Sequence, residues 1–226
     1  MVTASTTLTL PLTLREREQY PAVLRYKATL EEYLDFAEQC QYNVQYVNGE
    51  ILSIFEEEYI DGIRIMSQAT IPHESLVGRI ITIFNNLFDD VADLQVLGSN
   101  IKIYIAAVDN SFNADVSIVQ GEPDYFRLPS GKLSTVEILN PLLLVEVLSK
   151  STKAFDLGEK LEDYKLIPSL RQVLFVSPDK PWVSSYMRSE TPGLWLNTSA
   201  HVLIESIAVL DTIVSLELIY KKFKFL

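Results

Sequence analysis

The sequence predicts an α/β fold, or its α+β relative, with a mixed β-sheet flanked by helices and a β-rich C-terminal part. Three observations carry this reading. Residues 142–148 form an almost unbroken apolar run, as expected of a strand buried on both faces. Leu157, Leu161, Tyr164 and Ile167 follow at helical spacing, and a second apolar run covers 173–176. Strand, helix and buried strand in that order imply a parallel crossover.

The remaining elements follow in chain order. Residues 1–28 are rich in Thr, Ser and Leu without a clear period, and read as an N-terminal arm, partly extended. Residues 29–226 read as a single domain. Thr29 and Glu32 make a capping box, and Leu30, Tyr33, Leu34 and Ala37 continue it as a helix ending near Cys40. From Tyr42 to Phe55 the pattern alternates. Val44, Tyr46, Asn48, Glu50 and Leu52 share one strand face, or Asn48-Gly49 turns the stretch into a hairpin. Glu56-Glu57-Glu58 is expected to be a solvated turn, and Asp61-Gly62 a second hairpin turn with Ile63, Ile65 and Ser67 alternating behind it. Pro72 opens a helix that points Leu76, Ile80, Ile83, Phe84 and Leu87 inward. Ile101, Ile103 and Ile105 alternate as a strand, Asp109-Asn110-Ser111 turns, and 114–119 is the next strand. Gly121, Pro123, Pro129, Ser130 and Gly131 make 121–135 a loop. Beyond Pro178, shorter strands are expected at 182–188 and 194–206, and a last short helix at 212–222.

Bulk composition limits the function classes. At 226 residues and 48% hydrophobic, the chain can bury one sizeable core. A net charge of −11 repels phosphate backbones at long range, so any nucleic-acid chemistry must rest on a local site. The single cysteine, Cys40, cannot form an internal disulfide. No apolar run approaches the roughly 20 residues that span a bilayer, and the start lacks a basic segment leading into an apolar one. The expected location is the cytoplasm, away from membranes.

Two carboxylates stand out. Glu146 lies inside the buried run, where an ionised carboxylate costs several kcal/mol unless it is paired or binds a cation. Either a buried ion pair with Lys or Arg or a functional site would account for it. Asp115 opens the strand 115–119. Alone it reads as a strand-start aspartate. Aimed with Glu146 into one cleft, it would give a hard cation its oxygen ligands. No Gly-rich phosphate loop, Cys/His zinc spacing or nucleophile elbow is present.

From about Thr29 to the C-terminus the sequence resembles the PD-(D/E)XK nuclease superfamily, and within it the restriction-endonuclease family named Uma-two. The resemblance rests on Thr29-Leu30-Glu31-Glu32-Tyr33, Val47-Asn48-Gly49-Glu50, Pro72-His73, Ala114-Asp115-Val116-Ser117 and Val145-Glu146-Val147-Leu148-Ser149 with Ser151-Thr152. It continues through Asp156, Lys160, Tyr164 and Pro168-Ser169-Leu170. The resemblance implies a restriction-endonuclease-like core, Mg²⁺ or Mn²⁺ held by Asp115 and Glu146, DNA as substrate and a homodimer as the cutting unit. It implies that Glu50 adds to the acidic cluster. Ala114 replaces the motif proline, and Leu148 stands where the motif has its lysine. The resemblance puts that lysine on the following helix, at Lys160, orienting water or balancing phosphate charge. Read from the residues alone, Lys160 is an exposed helix lysine pairing with Asp156 or Asp163. Lys150 and Lys153 are weaker candidates. His73 contacts substrate or caps a helix, and Tyr164 is a core residue whose hydroxyl seeks a polar partner. A catalytically inactive nuclease fold acting as a binding module, and hydrolysis of another phosphodiester, are the alternatives.

Overall fold

The computed structural model describes residues 10–91, 93–99 and 101–225. In chain order the elements are α1 (Leu14–Arg17), β1 (Val23–Lys27), α2 (Leu30–Gln39), β2 (Gln45–Val47), β3 (Glu50–Ile54), β4 (Glu56–Ile60), β5 (Ile63–Ser67) and α3 (Ile71–Phe88). There follow β6 (Leu94–Leu97), β7 (Lys102–Ile105), β8 (Asn110–Asn113), β9 (Val116–Gln120), β10 (Tyr125–Arg127), β11 (Leu133–Ile138) and β12 (Pro141–Val147). Helix α4 (Lys153–Phe155) runs through a π-helical turn (Asp156–Lys160) into α5 (Leu161–Tyr164). The chain ends with β13 (Gln172–Val176), β14 (Val183–Arg188), β15 (Trp195–Ala200), β16 (Ser206–Val209), β17 (Thr212–Ser215) and α6 (Leu216–Ile219).

A six-stranded sheet, ordered β15-β14-β13-β12-β9-β6, carries the centre of the molecule. β12 pairs parallel with β13 and antiparallel with β9, so the sheet is mixed and the expected crossover is present. Period two splits the all-buried β12 between two cores. Leu143, Val145 and Val147 face the α3 side with Leu76, Ile80 and Phe84. Leu144 and Leu148 face the other side, packing with Leu161 and Tyr164 of α5 and with Ile103, Ile105 and Phe112 of a second sheet. That sheet has seven strands, ordered β1-β3-β2-β8-β7-β11-β10. A third core, centred on Tyr33, Tyr42 and Phe55, fixes α2 to it. Among the described residues no helix is long and apolar enough to cross a membrane.

Local chemistry explains the elements that the sequence announces. Thr29 and Glu32 form the reciprocal capping box of α2, whose C-cap is the half-buried free Cys40. Asn48-Gly49 and Asp61-Gly62 take left-handed backbone (φ 51 and 78 in both turns) and close two-residue hairpins. Helix α3 starts at Thr70, whose hydroxyl accepts the His73 N–H. Leu76, Ile80, Ile83 and Phe84 are buried in it as expected, and Val77 and Phe88 join them while Leu87 lies at the margin.

Several expectations are corrected. Glu56, Glu57 and Glu58 are strand β4, not a turn. β4 is set by its turn and by cross-strand pairing with β5, so its exposed residues show no apolar alternation. Asn110 and Ser111 belong to β8. The Asn110 side chain accepts the Asn48 N–H and donates to Asp163, which frees its backbone for the sheet. Residues 121–135 contain β10 and the start of β11, and 94–97 form β6. The expected strand 194–206 ends at Ala200, with β16 beginning at Ser206. The expected helix at 212–222 is β17 followed by one turn, α6.

Ordered structure also begins before Thr29. β1 pairs with β3 from Val23↔Ile54 to Lys27↔Glu50. Arg17 is fully buried, donating to Ser53 Oγ (3.0 Å) and to the carbonyls of Pro21 (2.7 Å), Ala22 (2.8 Å) and Ser53 (3.1 Å). Its guanidinium lies 4.6 Å from the Phe55 ring centre. Arg17→Ala leaves those acceptors unpaired and is expected to cost about 3 kcal/mol. A thermal melt checks this: a midpoint within 2 °C or so of wild type would refute the clasp.

Candidate metal centre

The site is built where β9, β12 and the helix after β12 meet. Glu146 sits on the β12 face shared by Leu144 and Leu148 and is 3% exposed. Burial pushes its carboxyl up to about 8, against the pull of the neighbouring Lys160 ammonium. Its Oε1 accepts from Tyr164 Oη at 2.7 Å and lies 2.8 Å from Lys160 Nζ.

The helix delivers these partners by spacing. Asp156, Lys160 and Tyr164 recur every four residues and form one stripe. The π-helical turn, centred on the non-helical Gly158 (φ −108, ψ −105), connects α4 to α5 along this stripe. Such widened turns recur at functional sites. Lys160 is 3% exposed, where an unpaired lysine would be prohibitively costly. Its three N–H donors meet three acceptors: Glu146 Oε1 at 2.8 Å, Asn113 O at 2.8 Å and Asp156 Oδ1 at 3.4 Å. Burial alone would lower its pKa, and Glu146 and Asp156 outweigh that and raise it. Lys160 is therefore a held cation. The expectation of an exposed helix lysine is corrected, since its side chain points inward beside Glu146.

Asp115 enters from the start of β9. Its backbone N–H donates to Val145 O (3.1 Å), and its Oδ2 accepts the Val147 N–H (2.7 Å), which clamps the carboxylate to β12 on either side of Glu146. His73, in the first turn of α3, brings Nε2 to 3.2 Å from the same Oδ2 while Nδ1 lies 3.2 Å from Glu74. Burial opposes protonation of His73, but the hydrogen bond and charge of Asp115 win and push it up to about 9. His73 is thus a cationic partner of Asp115.

Asp115, Glu146, Asp156, Lys160 and His73 all line one cleft of about 320 Å³. Glu50 does not join them. It follows the Asn48-Gly49 turn on β3 and pairs with Arg25 at 3.2 Å, because antiparallel pairing sets it opposite Lys27. Lys150 and Lys153 are exposed, and Leu148 is buried in the apolar core. Asp156 was legible as a partner for Lys160 and as one of the residues that carry the resemblance, and the Asn113 carbonyl carries no sequence signal.

Does this donor set suit a hard divalent cation? Asp115 Oδ1 and Glu146 Oε2 accept no hydrogen bond among the described residues, while their sister oxygens are held. Gln45, which lines the same cleft, carries a buried side-chain oxygen with no donor partner. Such an orphan acceptor suits a coordinated water. Among the described residues no group of three or more His, Cys, Asp or Glu side chains is placed to cage a metal. Mg²⁺ commonly binds through one or two carboxylates and keeps several waters. The residues present fit that arrangement.

Comparisons with known proteins agree with the architecture. A family model described as "Putative restriction endonuclease" (Uma2) matches residues 53–218. Uncharacterized protein slr1290 of Synechocystis sp. is 31% identical over 170 residues, covering 75% of this chain and 78% of that protein. Uncharacterized protein sll1609 of the same organism is 26% identical over 148 residues, 66% of this chain and 73% of that protein. Among solved structures, a protein of Anabaena variabilis described as a putative nuclease belonging to DUF820 superposes with a TM-score of 0.61 at 14% identity. That match covers 87% of this chain and 99% of the other, and shows a shared fold. With its model matched over most of the sequence and a relative at 31% identity, the chain belongs to the Uma2 family, described as putative restriction endonucleases.

Proposed function

We propose that the chain is a divalent-metal-dependent endonuclease that hydrolyses DNA phosphodiester bonds. One observation carries this: Lys160 reaches Glu146 from the helix, at 2.8 Å, on the side where Leu148 cannot supply an ammonium. Family membership points the same way. The free oxygens of Asp115 and Glu146 would hold Mg²⁺ or Mn²⁺, which supplies a water of lowered pKa and a Lewis-acid contact for a phosphate oxygen. Around it, Val147 N–H and His73 fix Asp115, and Tyr164 fixes Glu146. The Lys160 ammonium places positive charge where charge develops on the phosphate. One such site cuts one strand, so a double-strand break would take two copies of the chain.

A second reading is favoured by a specific observation. Every Lys160 donor already has a protein acceptor, which is also the picture of a structural ion pair in an inactive nuclease fold. Plasmid nicking separates the two. The purified protein is expected to nick supercoiled DNA with Mg²⁺ or Mn²⁺ and not with chelator, and Asp115→Ala is expected to abolish the activity. Equal nicking by wild type and variant would mean a contaminant and would overturn the assignment.

A further inference from the structure

A larger cavity, of about 870 Å³, adjoins the metal-centre cleft. The two share Glu56, Ala69, Thr70 and Ser149 in their walls, so they adjoin along this edge. Its chemistry differs from that of the cleft. Lys150, from the loop after β12, and Lys222 and Lys224, from the C-terminal tail, converge on it. All three are exposed, and none forms an ion pair among the described residues.

The tail lysines are held in place. Phe223 and Phe225 pack on Tyr220, with ring centres 5.9 and 5.0 Å away. Tyr220 Oη in turn donates toward the carbonyls of Ser177 and Trp182, each at 2.9 Å. Phe223 and Phe225 are half-buried while Lys222 and Lys224 are exposed, and Lys222 takes left-handed backbone (φ 63). The walls are also apolar. Ile71, at the first turn of α3, is 87% exposed, and it faces this cavity together with Leu148 and Phe223. Acidic groups are present too. Glu58 and Asp179 line it, and Glu56 is occupied by the Ser151 hydroxyl at 2.6 Å. Against a net charge of −11, a surface where three lysines offset three carboxylates is locally neutral ground for a polyanion.

Lysines along a groove with an aromatic and apolar floor suit the backbone and base faces of an unpaired strand. An unpaired strand offers its base faces to such a floor, whereas a duplex keeps them stacked inside. Resting on the nuclease reading above, we infer that this cavity seats single-stranded DNA leading to the metal centre, with Lys150, Lys222 and Lys224 taking its phosphates. The preferred substrate is then DNA with unpaired nucleotides beside the cut, not an intact duplex.

The test is fluorescence anisotropy of the full chain in chelator at low salt, with a labelled single-stranded oligonucleotide and the same sequence as a blunt duplex. The single strand is expected to bind about ten-fold tighter or more. Replacing Lys150, Lys222 and Lys224 together by Gln should weaken it at least ten-fold and lower the slope of log K against log salt by about 2, near 0.7 per phosphate contact. Lys221→Gln, on the same tail but outside the cavity, should change neither. Tighter binding of the duplex, no binding of the single strand, or binding unaltered by the triple change would overturn the inference. Metal-dependent nicking alongside such a failure leaves the nuclease reading standing. Lysine-dependent strand binding without nicking keeps the groove and removes the nuclease.

Discussion

Lys160→Met is expected to lose DNA nicking by about 10²- to 10³-fold, the usual cost of removing one preorganised charge-stabilising donor. It should also destabilise the fold, because Glu146 and Asp156 stay buried with their shared cation gone. Breaking a buried pair from one side costs about 3–5 kcal/mol. In a chain of 226 residues that lowers the melting midpoint by roughly 10 °C. A second variant separates the two effects. Glu146→Gln combined with Lys160→Met removes both charges of the pair and should recover part of the stability while remaining inactive. Wild-type nicking by the single variant would show that Lys160 is a strut and that the chemistry does not depend on its ammonium.

Glu146→Gln alone is expected to behave differently. The side chain keeps its shape, and burial already drives the native carboxyl toward its neutral form, to about 8. Lys160 keeps Asp156 as a charged partner, so the loss of stability should be smaller than in Lys160→Met. Metal chemistry should suffer most, with nicking lower by about 10³-fold, or ~4 kcal/mol of barrier. Binding to the folded state alone stabilises it, by about 2.7 kcal/mol at a ligand concentration of 100 Kd. Mg²⁺ or Mn²⁺ should thus raise the wild-type melting midpoint and leave that of Glu146→Gln unmoved. Nicking within ten-fold of wild type, or an equal metal-induced shift in both proteins, would remove Glu146 from the metal.

Much of the fold was legible because local chemistry and burial agreed. The capping box at Thr29, the Asn48-Gly49 turn, the Pro72 helix and the β12–helix–β13 crossover each carry their own signal. Exposed or very short elements did not. β4 is exposed, and β16 and β17 are four residues each, so neither presents a period long enough to read. Glu146 was legible in the site because a charge in an apolar strand demands a cause. Lys160 was not legible from its spacing, which is that of any surface helix lysine, and only the family resemblance placed it. The His73–Asp115 contact joins residues 42 positions apart through the docking of α3, and no local pattern encodes it.

The strand β1 has one more consequence. It lies at the outer border of the seven-stranded sheet, and its partner β3 carries Ile51, Leu52 and Ile54. An uncovered border strand of that composition is a template for pairing with other chains. β1 presents Arg25 and Lys27 instead, and Arg17 pins the segment that leads into it. Residues 14–27 thus act as a selvedge: losing them would expose a sticky border and turn the sheet toward aggregation.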